Sequence, residues 1–146
     1  MLEVILDRKT YSKFLDYAIN NCDAFSCVLE KDEHNKSKYI FQELYYCILD
    51  LIIDKKNIGY HPDTNTEFSN CDYIKVKNCQ SLKFLFFKVH NIDEWNGIIF
   101  PEELCFYRED KVWFTYISHE NILFVYNETR NDIDFFEQKK IKYHIV

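Results

Sequence analysis

The spacing of apolar residues changes along this chain, from a helical repeat in the first half to the short apolar runs of β-strands in the second half. In the first segment six residues recur at helical intervals, which predicts one amphipathic helix that begins near Asp7 or Thr10. These six residues are Tyr11, Phe14, Leu15, Ala18, Ile19 and Cys22. A chain that opens with this pattern is expected to bury the stripe against another layer of secondary structure.

A second apolar stripe covers residues 39–54 and predicts a second amphipathic helix. Its repeating residues are Ile40, Leu44, Cys47, Ile48, Leu51 and Ile52. We expect this helix to end before Gly59 and Pro62, because glycine permits a left-handed C-cap and proline cannot continue a helix.

From Tyr73 onward the pattern is typical of strands. Residues 82–89 form a dense apolar and aromatic run, and a hairpin is predicted before it at residues 78–81. The runs 104–108 and 111–117 flank a second predicted hairpin turn at Glu109 and Asp110, and residues 122–126 extend the sheet. Thr129 or Asn131 begins a short helix that ends near Lys140, and residues 141–146 close the sheet.

The order of these elements predicts an α+β fold in a single globular domain, residues 1–146. We expect a mostly antiparallel sheet, built from hairpins in the C-terminal half, with two N-terminal helices packed on one face and a short C-terminal helix. Hydrophobic residues make up 47% of the 146 residues, which is enough apolar surface to exclude an intrinsically disordered chain.

The charge balance disfavours nucleic-acid and membrane partners. Asp and Glu number 24 against 18 Lys and Arg, a formal net charge of −6, whereas nucleic-acid binders rely on basic surfaces. No stretch approaches the roughly 18 uncharged apolar residues that cross a bilayer. The N-terminus lacks the basic start and the long apolar run of a signal peptide. The sequence therefore predicts a cytoplasmic protein with reduced cysteines.

Motifs for metals and cofactors are missing from the sequence. Cys22 and Cys27 are separated by four residues and Cys71 and Cys79 by seven, which does not match the paired knuckles of structural zinc sites. His119 does not begin an H-E-x-x-H motif, and neither glycine lies in a phosphate-binding loop. We therefore expect no metal and no cofactor.

Nucleophilic catalysis has little support. There is no G-x-S-x-G motif. Cys105 could pair with His90 or His119 in a folded chain, but its neighbours Leu104 and Phe106 favour a buried, unreactive thiol.

The segment 93–110 is the leading candidate for a binding site. It carries six acidic residues and one arginine, directly after residues 74–92, which carry four lysines and no acid. Trp95 lies among acids, and an exposed Trp is a common interface anchor that acidic neighbours would steer toward a basic partner. Trp95 could instead pack onto the core. The predicted partner-binding residues are Asp93, Glu94, Trp95, Glu102, Glu103, Glu109 and Asp110.

Three functions remain open at this point. The leading hypothesis is a small acidic protein-binding module, an inhibitor or immunity-type protein that engages a basic partner such as a toxin. The alternative is a small hydrolase or transferase that uses His119 and Glu120 in the turn 118–121 for proton transfer, although this tract could simply be a polar turn. The third is a homo-oligomeric scaffold joined through its aromatic sheet.

Overall fold

A computed structural model describes residues 1–30, 45–97 and 100–146 of the chain. Its strands are β1 (Leu2–Ile5), β2 (Ala24–Glu30), β3 (Ile52–Tyr60), β4 (Glu67–Lys77), β5 (Glu102–Arg108), β6 (Lys111–Ile117), β7 (Ile122–Val125) and β8 (Lys142–Ile145). They form one eight-stranded sheet in the order β3-β4-β2-β5-β6-β7-β1-β8. Every pairing in it is antiparallel, which confirms the predicted mixed fold with an antiparallel sheet.

Among the described residues, three helices receive labels: α1 (Arg8–Asn21), α2 (Lys83–Phe86) and α3 (Arg130–Lys139). Residues 45–48 are helical as well. Helix α1 begins where its apolar stripe predicts, because the Asp7 side chain accepts hydrogen bonds from the backbone N–H groups of Lys9 and Thr10. Thr129 caps α3 in the same way, by accepting from the N–H of Asp132. In the part of the chain that the structure describes, no helix is long and apolar enough to cross a membrane.

The main core lies between the sheet and the helices. On α1, Phe14 is fully buried, and its ring centroid lies 5.6 Å from that of Trp113, 4.8 Å from that of Phe114 and 6.4 Å from that of Phe136 in α3. We call this side of the sheet the helical face. The opposite side, the second face, has two smaller clusters of buried apolar residues that contain no helix residue. Cys105 and Tyr107 of β5 belong to one of them.

The predicted second N-terminal helix is not confirmed. Residues 39–44 of that prediction lie outside the described residues, and residues 45–48 are helical. A 3-10 turn follows at Leu49–Leu51, and β3 then begins at Ile52 and continues through Gly59. Strand β3 lies at the edge of the sheet with one neighbour, and its side chains are mostly exposed. Its polar middle therefore does not show the apolar alternation of a covered strand. Apart from the helical residues 45–48, α1 is the one N-terminal helix among the described residues.

The run 82–89, predicted as a strand after a hairpin, contains no strand: a 3-10 turn ends at Leu82, α2 follows, and residues 87–88 form a turn. Its buried residues recur at i, i+3, i+4 and i+7, which is a helical spacing. They are Leu82, Leu85, Phe86 and Val89. Phe84 and Phe87 in the same run are 56% and 43% exposed, and their apolar character hid this period in the sequence. Strand β1 was also not predicted.

Candidate functional site

The acidic residues of segment 93–110 are divided between the two ends of β5. Asp93 and Glu94 lie in a 3-10 turn (Ile92–Glu94) that leads into β5, and Glu102 and Glu103 are its first two residues. The remaining pair follows its last residue. Since β5 has seven residues, about 20 Å separates the two groups. The structure therefore does not bring the predicted residues into one continuous surface.

Glu109 and Asp110 form the turn between β5 and β6, which confirms the predicted hairpin. Both residues have positive φ, 49° and 62°. The N–H of Glu109 donates to the Asp23 side chain over 2.6 Å, and an Asp110 oxygen lies 3.7 Å from the Lys75 ammonium. These contacts give the pair a local role at the hairpin turn.

Trp95 is buried, so of the two alternatives the sequence left open, packing onto the core is confirmed and the exposed anchor is wrong. The side chain is 1% exposed, and its ring packs against Phe86 and Phe100, with centroid separations of 5.5 Å in both cases. Its Nε1–H donates to the Tyr11 hydroxyl over 2.8 Å. Because α1 supplies this acceptor inside the core, the indole can be buried without leaving its donor unsatisfied.

Glu103 is also inaccessible to a partner. The residue is fully buried with φ of 55°, an unusual conformation for a side chain other than glycine. Its carboxylate accepts from the Ser118 N–H over 2.9 Å and from the Thr66 hydroxyl over 3.1 Å, and its own N–H donates to the Ser118 hydroxyl over 2.8 Å. Glu103 therefore joins the start of β5 to the β6–β7 turn and to the loop before β4.

Two of the remaining acids lie near that turn: Glu103 bonds Ser118, and Asp93 lines the same cavity as Asn121. Glu94 and Glu102 are their neighbours in the chain. We call these four residues, together with Glu120, the acidic end. Tyr116 reports the proximity of two of them, because burial first, and then the charges of Asp93 and Glu103, raise its pKa to about 12. Asp93 also lines a cavity of about 160 Å³ beside the β6–β7 turn.

Gly97 lets the chain pass close to Glu102. Its φ is +81°, and a Cβ at this position would lie 3.3 Å from a carboxylate oxygen of Glu102. A larger residue would meet both a strained backbone and a crowded side chain there.

His119 lies between two carboxylates at the acidic end. Its side chain is 53% exposed, with Nδ1 3.7 Å from a Glu103 oxygen and Nε2 3.6 Å from a Glu120 oxygen. The sequence placed Glu120 beside it, but Glu103 is 16 positions away and its approach depends on the β5–β6 pairing. An exposed imidazole between carboxylates has the components of acid–base chemistry.

Cys105 is buried, and the histidine that it meets is His61 rather than His90 or His119. The distance between Sγ and Nε2 is 4.0 Å, and both residues are fully buried. The His61 Nδ1 accepts the N–H groups of Asp63 and Thr64, and burial lowers its pKa to about 4. Burial raises the pKa of the Cys105 thiol. A protonated thiol beside a neutral imidazole is not an activated nucleophile.

Across residues 1–30, 45–97 and 100–146, no group of three or more His, Cys, Asp or Glu side chains is placed to hold a metal ion. No protein-family model matches the chain. Neither a curated protein nor a solved structure matches it significantly.

Proposed function

We propose that this protein is a binding module that engages a basic protein partner through the acidic end of its sheet. The observation that supports it is the set of four carboxylates carried by the Ile92–Glu94 turn, the start of β5 and the β6–β7 turn. Asp93 and Glu120 are exposed, and Glu94 and Glu102 are half-buried. Such a group of like charges attracts a basic surface and repels an acidic one.

The buried residues of this region give the proposed surface a fixed shape. Trp95 holds the segment that carries Asp93 and Glu94 against α1 through its hydrogen bond to Tyr11. Glu103 holds the start of β5 against the turn that carries Glu120. A preformed surface loses less conformational entropy on binding than a flexible one. Trp95 therefore supports the surface from beneath, in place of the contact role first predicted for it.

An inhibitor or immunity-type role is the specific form of this proposal. A toxin that acts on nucleic acid needs a basic site for phosphates. A fixed group of carboxylates can occupy such a site in place of phosphate, as electrostatic complementarity requires.

Charge neutralisation at the acidic end tests the proposal. The variant carries Asp93→Asn, Glu94→Gln, Glu102→Gln and Glu120→Gln. The control variant neutralises four acids elsewhere on the surface, with Glu109→Gln, Asp110→Asn, Asp134→Asn and Glu137→Gln. Both variants change the net charge by the same amount, so only the position of the lost charges differs.

Each protein is immobilised and incubated at low salt with a lysate of the cells in which the wild type occurs. The bound proteins are then quantified by mass spectrometry. We expect one basic protein at near-stoichiometric level with the wild type and the control variant. The acidic-end variant should retain at least tenfold less of it. The absence of a stoichiometric partner, or equal losses with both variants, would contradict the proposal.

A second candidate function, a small hydrolase or transferase, is favoured by one observation, the imidazole of His119 between Glu103 and Glu120. The wild type and His119→Gln are compared on ester, amide and phosphoester model substrates. Turnover that falls at least a hundredfold in the variant would support this function. Equal background rates for both proteins would remove it.

A further inference from the structure

The loop of residues 61–66 between β3 and β4 folds over the second face of the sheet. It closes on itself through the His61 N–H, which donates to the Thr66 carbonyl over 2.8 Å. Two polar contacts attach it to β5: the Tyr107 hydroxyl donates to the Asp63 carboxylate, and the Thr66 hydroxyl donates to Glu103. These contacts are polar, in contrast to the aromatic packing of the helical face.

His61 is the centre of this loop. Its ring is fully buried, lies edge-on to Tyr73 with centroids 5.4 Å apart, and approaches the Cys105 thiol. Nδ1 accepts two backbone N–H groups of the loop, from Asp63 over 3.1 Å and from Thr64 over 3.2 Å. A proton on Nδ1 would turn this acceptor into a donor that faces two other donors. The closed loop therefore favours a neutral His61 over a protonated one.

We propose that His61 is an acid-sensitive latch that holds the 61–66 loop closed over the second face. When His61 takes up a proton, the loop opens and exposes the Cys105 thiol and the hydroxyl groups of Ser26, Tyr73 and Tyr107. These hydroxyls lie together beneath the loop, since Tyr107 Oη is 2.8 Å from Ser26 Oγ and 3.2 Å from Tyr73 Oη. The helical face stays folded during this opening.

The groups around His61 act in different directions on its protonation. Burial, the largest effect, and the charge of Lys56 on β3 lower its pKa, while the charge of Asp63 in the loop raises it. From the sheet it faces Tyr73 on β4 and Cys105 on β5, both neutral while protonated, and Glu103 lies beyond Thr66. The balance leaves His61 neutral at pH 7 and half-protonated near pH 4.

We expect the helical face to resist acid to a lower pH than the latch does. Its ion pair joins Arg108 to the fully buried Asp132, whose pKa lies below the ordinary 3.8 because hydrogen bonds outweigh the opposing effect of burial. A carboxylate of this kind stays ionised while His61 is already taking up a proton. The loop should therefore open in a pH range in which α1 and α3 remain docked.

Hydrogen–deuterium exchange of the full chain tests the latch, with rates corrected for the intrinsic effect of pH. An open-state pKa of 6.5 and a closed-state pKa of about 4 predict about 50-fold more opening at pH 4.5 than at pH 7. We expect this acceleration in residues 61–66 and 103–105. Residues of α1 and β6 should change less than twofold.

Two variants separate His61 from other groups. His61→Gln keeps an acceptor that does not titrate, so the loop should lose its pH response, whereas His144→Gln on the exposed edge strand β8 should keep it. If His61→Gln does not fold, the wild type still tests the proposal. The protonation of its His61 ring, followed by NMR, should occur over the same pH range as loop opening. Unchanged loop exchange, equal acceleration throughout the sheet, or a wild-type response in His61→Gln would overturn the proposal.

Discussion

Trp95 and Tyr11 form a buried hydrogen bond that should contribute measurably to stability. We expect Trp95→Phe to lower the free energy of unfolding by about 2 kcal/mol, because it removes both ring volume and a satisfied donor. Tyr11→Phe should cost about 1–2 kcal/mol, since it leaves the buried indole N–H without an acceptor. Urea denaturation of both single variants and the double variant measures these values.

The double variant is the control for this prediction. If the hydrogen bond couples the two residues, the stability losses of the two single variants should add up to about 1 kcal/mol more than the loss of the double variant. Acrylamide should also quench native Trp fluorescence weakly, because Trp95 and Trp113 are 1% and 2% exposed. Additive effects together with strong quenching would show that the indole is not held in the core.

At the residue scale, the sequence showed which residues are apolar or charged, but it did not show which of them contact one another in the fold. The apolar neighbours of Cys105 correctly indicated burial. The acidic neighbours of Trp95 pointed the wrong way, because its burial depends on Tyr11, which is 84 positions away. The same applies to Glu103, whose partners Ser118 and Thr66 come from two other segments. A local pattern carries no information on such long-range contacts.

Among the elements, α3 depends on Asp132, which belongs to the capping box of the helix and also forms an ion pair with Arg108. Asp132 is fully buried, accepts two hydrogen bonds from Arg108 over 2.9 and 2.8 Å, and completes a capping box with Thr129. We expect Thr129→Ala to lower stability by about 1 kcal/mol. Asp132→Asn should cost about 3 kcal/mol, because it leaves the half-buried Arg108 without its counter-charge. The exposed Asp134→Asn on the same helix is the control and should cost less than about 0.5 kcal/mol.

The acid dependence of stability gives a second test of Asp132. Burial alone would raise its pKa, but hydrogen bonds from Arg108, Thr129 and Tyr17 hold the pKa below the ordinary 3.8. The stabilisation that follows is present above pH 3.8 and is lost as the pH falls through the lowered pKa. Urea midpoints of Asp132→Asn should therefore decline less than those of the wild type between pH 4 and pH 2. Parallel declines would show that the ion pair does not control acid unfolding.

Predictions of elements succeeded where one face alone is apolar. The stripe of α1 and the cap at Thr129 were sufficient to place both of the longer helices. Predictions of elements failed where apolar residues are exposed or where a strand is mostly polar. Phe84 in α2 is apolar but exposed, and β3, at the edge of the sheet, has a polar middle. Sheet order decides which strand is an edge, and it is a long-range property of the chain.

For the whole molecule, the distribution of charge follows from topology. Segment 93–110 is continuous in sequence, but β5 carries its two halves to opposite ends of the sheet. The proposed binding surface is formed instead by that segment and the β6–β7 turn, which the β5–β6 pairing brings together. The sequence could identify the charged residues, and only the fold could show which of them share a surface.

The six cysteines provide a last prediction on the whole fold, since all of them lie in the described part of the chain and none forms a disulfide. Cys47 is exposed and Cys79 is half-buried, whereas the other four are buried: Cys22, Cys27, Cys71 and Cys105. Burial also raises the pKa of Cys22 to about 12. At pH 8 this lowers its reactive thiolate fraction roughly a thousandfold relative to an ordinary thiol.

We therefore expect Ellman's reagent at pH 8 to modify two thiols of the native protein, Cys47 faster than Cys79, and six thiols in denaturant without added reductant. Cys47→Ser should remove the fast phase and leave the slow one, which assigns the two phases. More than two native thiols would show that the core admits the reagent. Fewer than six reactive thiols in denaturant would mean that some cysteines are oxidised. That result would contradict the burial of four reduced cysteines in the folded chain.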